Sequence, residues 1–341
     1  MYVLMAILLL GILIILHEAG HFWAARLCRI EVQEFSIGMG PLLWHRAGKR
    51  GTEYSLRALP IGGFCRFYGE DEGVSADPRA FDRTSLPRRM FTVFAGPGMN
   101  FVVAVFTIVL YLSAVGIPAS VPVVGAVEEN AALAGLAVGD RLLSVNGTET
   151  EDTAAISQAI ASSGGETVTI TVRRGSEEKE LAIRPFYDET LERYRLGFSF
   201  AQERQRISFL ESVPFSFRYN WESVVLIART LKNLVFRGEG VSDMTGPVGT
   251  VYVIQEATRE GGLDIWLELL ALISVNLGIM NLLPIPGLDG SRLLFLLLEA
   301  VRGKPVKREL EGTIHLVGVA LLMGLMVVLT YKDILQFFVR R

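Results

Sequence analysis

The feature that most constrains this sequence is a pair of histidines at the end of a long apolar stretch. Residues 3–16 are all apolar or glycine, and His17-Glu18-Ala19-Gly20-His21 follows directly. On an α-helix, side chains four residues apart share one face, so both imidazoles can bind one zinc ion while the glutamate acts on a metal-bound water. Polar side chains beside hydrocarbon are costly. The placement therefore predicts a zinc site on a membrane helix, with a chance match or a polar helix end as the alternative.

Composition indicates a membrane protein. The chain has 341 residues that are 50% hydrophobic, and its mean hydropathy of +0.39 exceeds that of typical soluble domains. A net charge of −3 gives no support to nucleic-acid binding, and two cysteines, Cys28 and Cys65, are too few for a disulfide scaffold. Because no Lys or Arg precedes Arg26, we expect a retained transmembrane helix rather than a cleaved signal peptide.

Four apolar stretches predict membrane-spanning helices, at about residues 2–22, 94–116, 265–301 and 314–330. At a rise of about 1.5 Å per residue, His17 lies roughly 24 Å along the first helix, within a hydrocarbon layer about 30 Å thick. Arg26 and Arg29 follow the motif, and flanks rich in arginine face the cytoplasm. We therefore expect the histidine pair inside the membrane, near its cytoplasmic face.

The segments between these stretches predict three further parts. Residues 30–70 contain two strand-like runs interrupted by glycine and proline, which indicates a β-hairpin beside the first helix. Residues 120–186 combine strand and short-helix patterns with turn dipeptides, which indicates a small α+β domain. Residues 187–264 are mostly polar, and residues 209–236 within them have apolar side chains at helical spacing, as in a helix that lies on a membrane surface.

A third metal ligand is expected from the other end of the chain. Two prolines and two glycines interrupt the third apolar stretch around Asp289, and broken membrane helices line sites or cavities. This aspartate would complete the three protein ligands of a catalytic zinc. Asn100, in the second stretch, is expected to form an interhelical hydrogen bond or to lie near the metal. His315 is a further candidate ligand, although a histidine at a helix end is more often interfacial.

Four motifs carry a family resemblance. In chain order they are His17-Glu18-Ala19-Gly20-His21, Gly38-Met39-Gly40-Pro41, Gly96-Pro97-Gly98-Met99-Asn100 and Asn281-Leu282-Leu283-Pro284-Ile285-Pro286-Gly287-Leu288-Asp289-Gly290. Along nearly the whole chain they resemble the site-2 protease family of intramembrane zinc metalloproteases, in its bacterial regulator-of-sigma-E branch. Residues 120–185 resemble a PDZ domain of the bacterial protease type. Two departures are a single PDZ domain, where some members have two, and Ser291, where a second glycine is often seen.

The resemblance implies roles for individual residues. His17, His21 and Asp289 would bind Zn²⁺, and Glu18 would be the general base and acid. Asn281 would contact the substrate backbone or stabilise the oxyanion. The other residues assigned to substrate binding are Pro284, Asn100, Gly38 and Gly40. Residues 32–68 would form a membrane re-entrant β-hairpin whose edge pairs with an unwound substrate strand.

The sequence therefore predicts a polytopic α-helical membrane protein with about four transmembrane helices, a membrane-associated β-hairpin and an inserted extracytoplasmic α+β PDZ domain. The expected parts are a membrane domain at 1–116, the PDZ domain at 120–186, an extracytoplasmic amphipathic linker at 187–264 and a second membrane domain at 265–341.

The predicted function is proteolysis within a lipid bilayer, the bacterial inner membrane, with no nucleic-acid partner. As the resemblance implies, the substrates would be single-span membrane proteins already trimmed outside the membrane, such as anti-sigma factors, or remnant signal peptides. Two alternatives stay open: a non-catalytic scaffold that presents a PDZ domain, and a zinc transporter that uses the same ligands.

Overall fold

The structure is a computed structural model that describes residues 1–70, 77–149, 152–189, 192–240 and 244–339. In those ranges the helices are α1 (Tyr2–Leu27), α2 (Leu86–Val115), α3 (Glu129–Leu133), α4 (Thr153–Ala161), α5 (Phe209–Arg237), α6 (Pro247–Leu282), α7 (Asp289–Arg302) and α8 (Arg308–Ile334). The strands are β1 (Val32–Ala47), β2 (Glu53–Phe67), β3 (Ile117–Val127), β4 (Arg141–Val145), β5 (Thr148–Glu149), β6 (Val168–Arg174), β7 (Glu177–Ile183), β8 (Phe186–Asp188), β9 (Arg193–Arg195) and β10 (Phe198–Gln205). The chain forms two compact units, residues 1–111 with 208–341, and residues 112–207.

Four helices, α1, α2, α6 and α8, are long and apolar enough to cross a membrane. Within the described residues, this confirms the predicted number of apolar spans. Helices α1, α2 and α8 extend at one or both ends beyond the predicted stretches, because an apolar window marks only the part that suits hydrocarbon, whereas backbone hydrogen bonding continues a helix into its polar flanks. The third predicted stretch, 265–301, is divided between α6 and α7.

Helix α1 packs against α6 through an apolar seam. Leu9 and Leu13 of α1 are fully buried, and Leu270 of α6 is buried in the same cluster. The indole N–H of Trp266 donates a hydrogen bond of 3.0 Å to the backbone oxygen of Met5. This packing joins the two ends of the sequence, which brings the histidine motif of α1 beside the segment that follows α6.

The third apolar helix starts earlier than predicted. The sequence predicts a start near Ile265, but α6 begins at Pro247, a residue favoured in the first turn, and bends at Gly262, where φ is +65°. The predicted linker at 187–264 therefore contains structure: three short strands, the whole of α5 and the first part of α6. Helix α5 coincides with the amphipathic segment predicted at 209–236. The short strands and the early start of α6 were not predicted, since polar residues occur in strands and helices as well as in linkers.

The predicted interruption before Asp289 is confirmed. Helix α6 ends at Leu282 and α7 begins at Asp289, so six residues between them are non-helical. Proline removes a backbone donor and prevents helical continuation. Gly290 lets α7 pass close to the end of α6, because a Cβ at this position would lie 2.2 Å from the carbonyl oxygen of Leu283.

Strands β1 and β2 form an antiparallel hairpin. The sequence predicts breaks at its glycines, but Gly38, Gly40 and Gly62 lie inside continuous strands, with φ of +85°, +82° and +88°. At positive φ glycine bends a strand without the strain that a side chain would add. As a result the first part of β1 has neighbours on both sides: Phe35 is aligned with Cys65 and with Tyr54.

Residues 112–207 form a separate α+β unit. Its antiparallel sheet has the strand order β10-β3-β4-β6-β7, with β5 on β4, while β8 and β9 pair with each other. Leu142, Ile156 and Ile170 are fully buried in its core, so α4 packs on the sheet. The unit extends beyond the predicted range of 120–186, because β10 pairs with β3 and forms one edge of the sheet.

A carboxylate in α8 caps the N-terminus of α6. Asp333 is 1% exposed, and its two carboxylate oxygens accept hydrogen bonds from the backbone N–H groups of Gly246 (3.2 Å) and Gly249 (2.7 Å). The first N–H groups of a helix have no partner within the helix, and a negative charge there is favourable. Asp333 therefore joins the last membrane helix to the start of α6.

The variant Asp333→Ala should lower the thermal stability of the protein in detergent micelles. It leaves two buried backbone N–H groups without an acceptor, at a cost of about 1–3 kcal/mol each. Thermal unfolding measures the effect. Glu309→Ala, at the exposed opposite end of α8, is the control and should melt like the unchanged protein. Equal transitions for both variants would contradict this role of Asp333.

Asp140 is the buried charge of the 112–207 unit. Its carboxylate, 1% exposed, accepts bonds of 2.7 Å from Nε and from Nη2 of Arg174, and one of 2.9 Å from the backbone N–H of Ala137. The Arg174 guanidinium above all holds the pKa of Asp140 below its usual range.

The stability of this unit should fall in acid. Because the pKa of Asp140 is lower in the folded chain than in the unfolded one, its contribution is complete above the unfolded value of about 3.9 and is lost as the pH falls through the folded value. Hydrogen exchange of the β4 and β6 amides in the full chain measures this. Asp140→Asn should reduce protection at pH 7 and flatten the acid dependence; an equally steep dependence in this variant would exclude Asp140 as its source. Glu178→Gln, on an exposed ion pair with Arg173, is the matched control.

Candidate metal and catalytic site

Three side chains from opposite ends of the chain meet beside α1. His17 and His21 lie on one face of α1 with ring centroids 4.9 Å apart. Asp289 Oδ2 lies 3.1 Å from Nε2 of His17 and 3.3 Å from Nε2 of His21. The side chains are 11%, 8% and 15% exposed in the order His17, His21 and Asp289. The structure thus brings together the three residues that the sequence singles out as ligands.

This donor set fits zinc. Two imidazole nitrogens and a carboxylate oxygen are typical ligands of catalytic zinc, and ligand atoms about 2 Å from a tetrahedral ion lie roughly 3.3 Å from one another. The two nitrogen–oxygen distances match that separation. One ligand atom of each residue lies within 4.8 Å of the other two, and no second cluster of this kind occurs in the described ranges.

Glu18 lines the same cavity as His17, His21 and Asp289. The cavity measures about 180 Å³, and its remaining lining residues are Phe64, Cys65, Phe67, Val93 and Arg292. Cys65, in β2, lines the cavity together with Glu18. The hairpin therefore borders the site, and Glu18 is the one lining carboxylate outside the three-residue cluster, where it can exchange a proton with water.

Helix α2 contacts the outer nitrogen of each imidazole. His21 Nδ1 lies 2.9 Å from the backbone oxygen of Thr92, and His17 Nδ1 lies 3.2 Å from the side-chain nitrogen of Asn100. A carbonyl oxygen only accepts hydrogen bonds, so His21 donates from Nδ1 and keeps the lone pair of Nε2 for a metal. Asn100 lies near the candidate metal ligands, which is one of the two positions predicted for it. Its backbone oxygen also accepts a hydrogen bond of 2.7 Å from the hydroxyl of Ser274 in α6.

Gly96 makes room for His21. A Cβ at position 96 would lie 2.1 Å from His21 Nε2, whereas a Cβ at position 98 would lie 3.3 Å from the nearest atom of Phe94. The first glycine of the Gly96-Pro97-Gly98 stretch is therefore required for the close approach of α2 to the histidine, and the second is not.

The other residues assigned to substrate binding lie outside this cluster. Gly38 and Gly40 form the bend of β1. Asn281 lies in the last turn of α6, and its side chain makes no hydrogen bond in the part of the chain that the structure describes. Pro284 is exposed in the loop before α7. Their roles in substrate binding stay predictions.

His315 supports the loop before Asp289. Its Nδ1 accepts a hydrogen bond of 3.2 Å from the backbone N–H of Gly287, and its ring contacts Phe295 with 5.8 Å between centroids. It lies outside the three-residue cluster, which agrees with the prediction that a ligand role is the rarer one.

Sequence reasoning missed four parts of the site: the carbonyl of Thr92, the space at Gly96, the position of Cys65 beside Glu18, and Arg292. Backbone groups carry no sequence signal, since every residue has them. Arg292 did have a sequence signal, because it follows Asp289 by three residues and therefore lies on the same face of the helix. Arg292 forms an ion pair with Glu70.

Comparisons with known proteins identify the family of this chain. The model of peptidase family M50 matches residues 5–325. The chain belongs to peptidase family M50. Among its relatives, a protein of Clostridium acetobutylicum named "Putative zinc metalloprotease" is 35% identical over 97% of this chain and 97% of its own. A protein of Haemophilus influenzae named "Regulator of sigma E protease" is 29% identical over 97% of this chain and 98% of its own. Among solved structures, the PDZ domain of an SdrC-like protein of Listeria monocytogenes is 21% identical, with a TM-score of 0.22 over 24% of this chain and 87% of that one.

This M50 protein is an intramembrane metalloprotease of the site-2 protease family, and its cofactor is zinc. Two predictions made from the sequence, the family and the zinc chemistry, are thereby confirmed. The apolar helices of the structure agree with a membrane protein, and the protease chemistry agrees with a carboxylate beside a cluster that could hold a metal ion.

Gly96→Ala should reduce zinc affinity at least tenfold. The added methyl group would displace His21 Nε2 and break the ligand geometry, and metal sites tolerate deviations of only about 0.2 Å. Zinc retained during competition with a chelator measures this. Gly98→Ala adds the same methyl group two residues further along and should bind zinc like the unchanged protein. Equal zinc retention in the two variants would show that Gly96 is not needed for the site.

Proposed function

We propose that His17, His21 and Asp289 hold the zinc of this M50 protease and that Glu18 is its general base and acid. The observation that carries the proposal is the convergence of three zinc-type donors, at 3.1 and 3.3 Å between nitrogen and oxygen, in a cavity that also contains Glu18. Bound zinc supplies a Lewis acid that polarises the scissile carbonyl and lowers the pKa of water. Glu18 accepts the proton of the attacking water and returns it to the leaving amine.

The hairpin is well placed to present the substrate. A helical substrate hides its carbonyl groups in hydrogen bonds, so it must unwind before hydrolysis. Strand β2 borders the catalytic cavity at Phe64, Cys65 and Phe67, and an extended peptide can add to the edge of a sheet. We infer that the cleaved segment binds along this edge. The assignments of Asn281, Pro284, Gly38 and Gly40 to substrate binding belong to this proposal.

A charged cavity offers a path for water. It measures about 850 Å³ and shares Val93, Asp289 and Arg292 with the catalytic cavity. Its other charged lining residues are Glu70, Asp82, Arg83, Arg89, Glu299, Arg308 and Glu311. Such side chains hold water, which supports the proposal that the water for hydrolysis enters from this side.

We propose that the enzyme resides in the bacterial plasma membrane with this charged side facing the cytoplasm. The basic residues after α1 and around the cavity support that orientation. Residues 112–207 are proposed to be a PDZ domain on the opposite side, and α5 an amphipathic helix on the membrane surface there. The alternation of helices and strands in this unit, with turns at Gly139-Asp140 and Asn146-Gly147, supports the domain assignment.

The proposed substrates are single-span membrane proteins trimmed beforehand outside the membrane, of the anti-sigma-factor type, or remnant signal peptides. The name of the Haemophilus influenzae relative supports the first class.

Glu18→Gln should abolish cleavage while zinc remains bound. The amide keeps the size of the side chain but cannot take up a proton, and general-base catalysis accounts for roughly 10²–10⁴-fold of the rate. Cleavage of a single-span model substrate in proteoliposomes, together with zinc content, measures both effects. Glu309→Gln, exposed on α8, is the control.

The same experiment separates the alternatives. If the Glu18→Gln variant cleaved at the rate of the unchanged protein, Glu18 would not be the base. Absence of cleavage by the unchanged protein with every substrate would favour the scaffold. Zinc flux across the proteoliposome membrane would favour the transporter, which needs ligands along a path rather than the single cluster found in the described ranges.

A further inference from the structure

Asn100 faces a metal ligand rather than open space in the catalytic cavity. It is 0% exposed, and its side-chain nitrogen lies 3.2 Å from Nδ1 of His17. It is absent from the lining of the cavity that contains Glu18 and the three ligands. A substrate in that cavity would therefore meet other side chains first, which argues against the direct substrate contact expected from the sequence.

The chemistry of a metal-bound imidazole decides how Asn100 must be oriented. His17 directs Nε2 towards Asp289, at 3.1 Å from Oδ2. A neutral imidazole that binds a metal through Nε2 carries its hydrogen on Nδ1 and donates it outward. The side-chain nitrogen of Asn100 is also a donor, so it cannot form a hydrogen bond with a protonated Nδ1 of His17 in this orientation. The oxygen and nitrogen of an amide are nearly indistinguishable in size, and turning the group by 180° puts Oδ1 against the Nδ1 hydrogen.

Nothing else among the described residues holds that oxygen. Oδ1 of Asn100 is buried and makes no hydrogen bond there, so the turn breaks no existing contact of the oxygen. The backbone of Asn100 is fixed independently, because its carbonyl oxygen accepts from the Ser274 hydroxyl at 2.7 Å. The amide is therefore attached to a rigid frame between α2 and α6 and can set the direction of the His17 ring.

We propose that Asn100 is a positioning residue: its side-chain oxygen accepts the Nδ1 hydrogen of His17 and so selects the tautomer and ring orientation that bind zinc. The proposal rests on the proposed ligand role of His17. Thr92 serves His21 in the same way through its carbonyl oxygen, 2.9 Å from Nδ1. Of the two contacts, only that of Asn100 depends on a side chain and is open to substitution.

The test compares variants that differ only in the group facing His17. Asn100→Asp keeps an oxygen acceptor, whereas Asn100→Leu has a similar size and no acceptor. Outer contacts of metal-binding histidines are typically worth 10- to 100-fold in metal affinity. We therefore expect Asn100→Leu to weaken zinc binding 10- to 100-fold in chelator competition and Asn100→Asp to stay within about threefold of the unchanged protein.

Two further readouts separate positioning from other roles. With cobalt in place of zinc, the visible absorption bands should be retained in Asn100→Asp and shifted or lost in Asn100→Leu. Ser274→Ala removes the interhelical hydrogen bond and leaves the amide in place, so it is the matched control and should keep the zinc affinity. Resistance to added protease verifies that each variant is folded. If Asn100→Leu does not fold, Asn100→Asp still tests the proposal, because a large loss of zinc affinity in that variant would contradict it.

Several outcomes would overturn the proposal. A raised KM with unchanged zinc affinity in Asn100→Leu would return Asn100 to substrate binding. Equal loss of zinc in Asn100→Asp and Ser274→Ala would reduce it to helix packing. Zinc retention by His17→Ala would instead contradict the proposed function itself, and this result is distinguishable because it does not involve position 100.

Discussion

Burying two imidazoles and two carboxylates among apolar helices is the constraint that the rest of this structure satisfies. Each buried polar atom needs a partner, since an unpaired one costs free energy in an apolar environment. Here Asp289 faces both imidazoles, Thr92 accepts from His21, and the hairpin residue Cys65 lines the cavity with Glu18. The partners come from α1, α2, α7 and the hairpin, so the site exists only when all four elements are assembled.

Backbone geometry supplies what side chains alone could not. The interruption between α6 and α7 frees Asp289 to start a new helix beside the histidines, and Gly290 permits the close approach of the two helix ends. Gly96 performs a similar task on α2 by leaving space for His21. At the far end of α6, Asp333 accepts hydrogen bonds from the backbone N–H groups of Gly246 and Gly249 and so caps the helix terminus. The two glycines leave space where helices approach closely, and the aspartate supplies a hydrogen-bond acceptor at a helix end.

Much of the fold could be predicted because its signals are local. The apolar stretches of four membrane helices, the prolines before Asp289 and the strand patterns of residues 30–70 are properties of short windows. The boundaries of the strands and of the α+β unit were harder to predict. The bends at Gly38, Gly40 and Gly62 resembled breaks, because glycine both ends strands and bends them. The extension of the α+β unit to β10 depends on pairing with β3, about 70–90 residues earlier in the chain, and no local pattern reports such pairing.

The sequence by itself determined the chemistry: the spacing of His17 and His21 dictates a shared helix face, and an aspartate in a broken apolar helix is costly unless a cation or a hydrogen-bond donor meets it. Tertiary structure alone decided which partners complete the site. Thr92 contributes a carbonyl, a group that every residue carries, and Asn100 acquires its place beside His17 only once α2 packs on α1. The physical reason is that the types of the side chains decide which groups can bind a metal, whereas the packing of elements far apart in the chain decides how those groups are oriented.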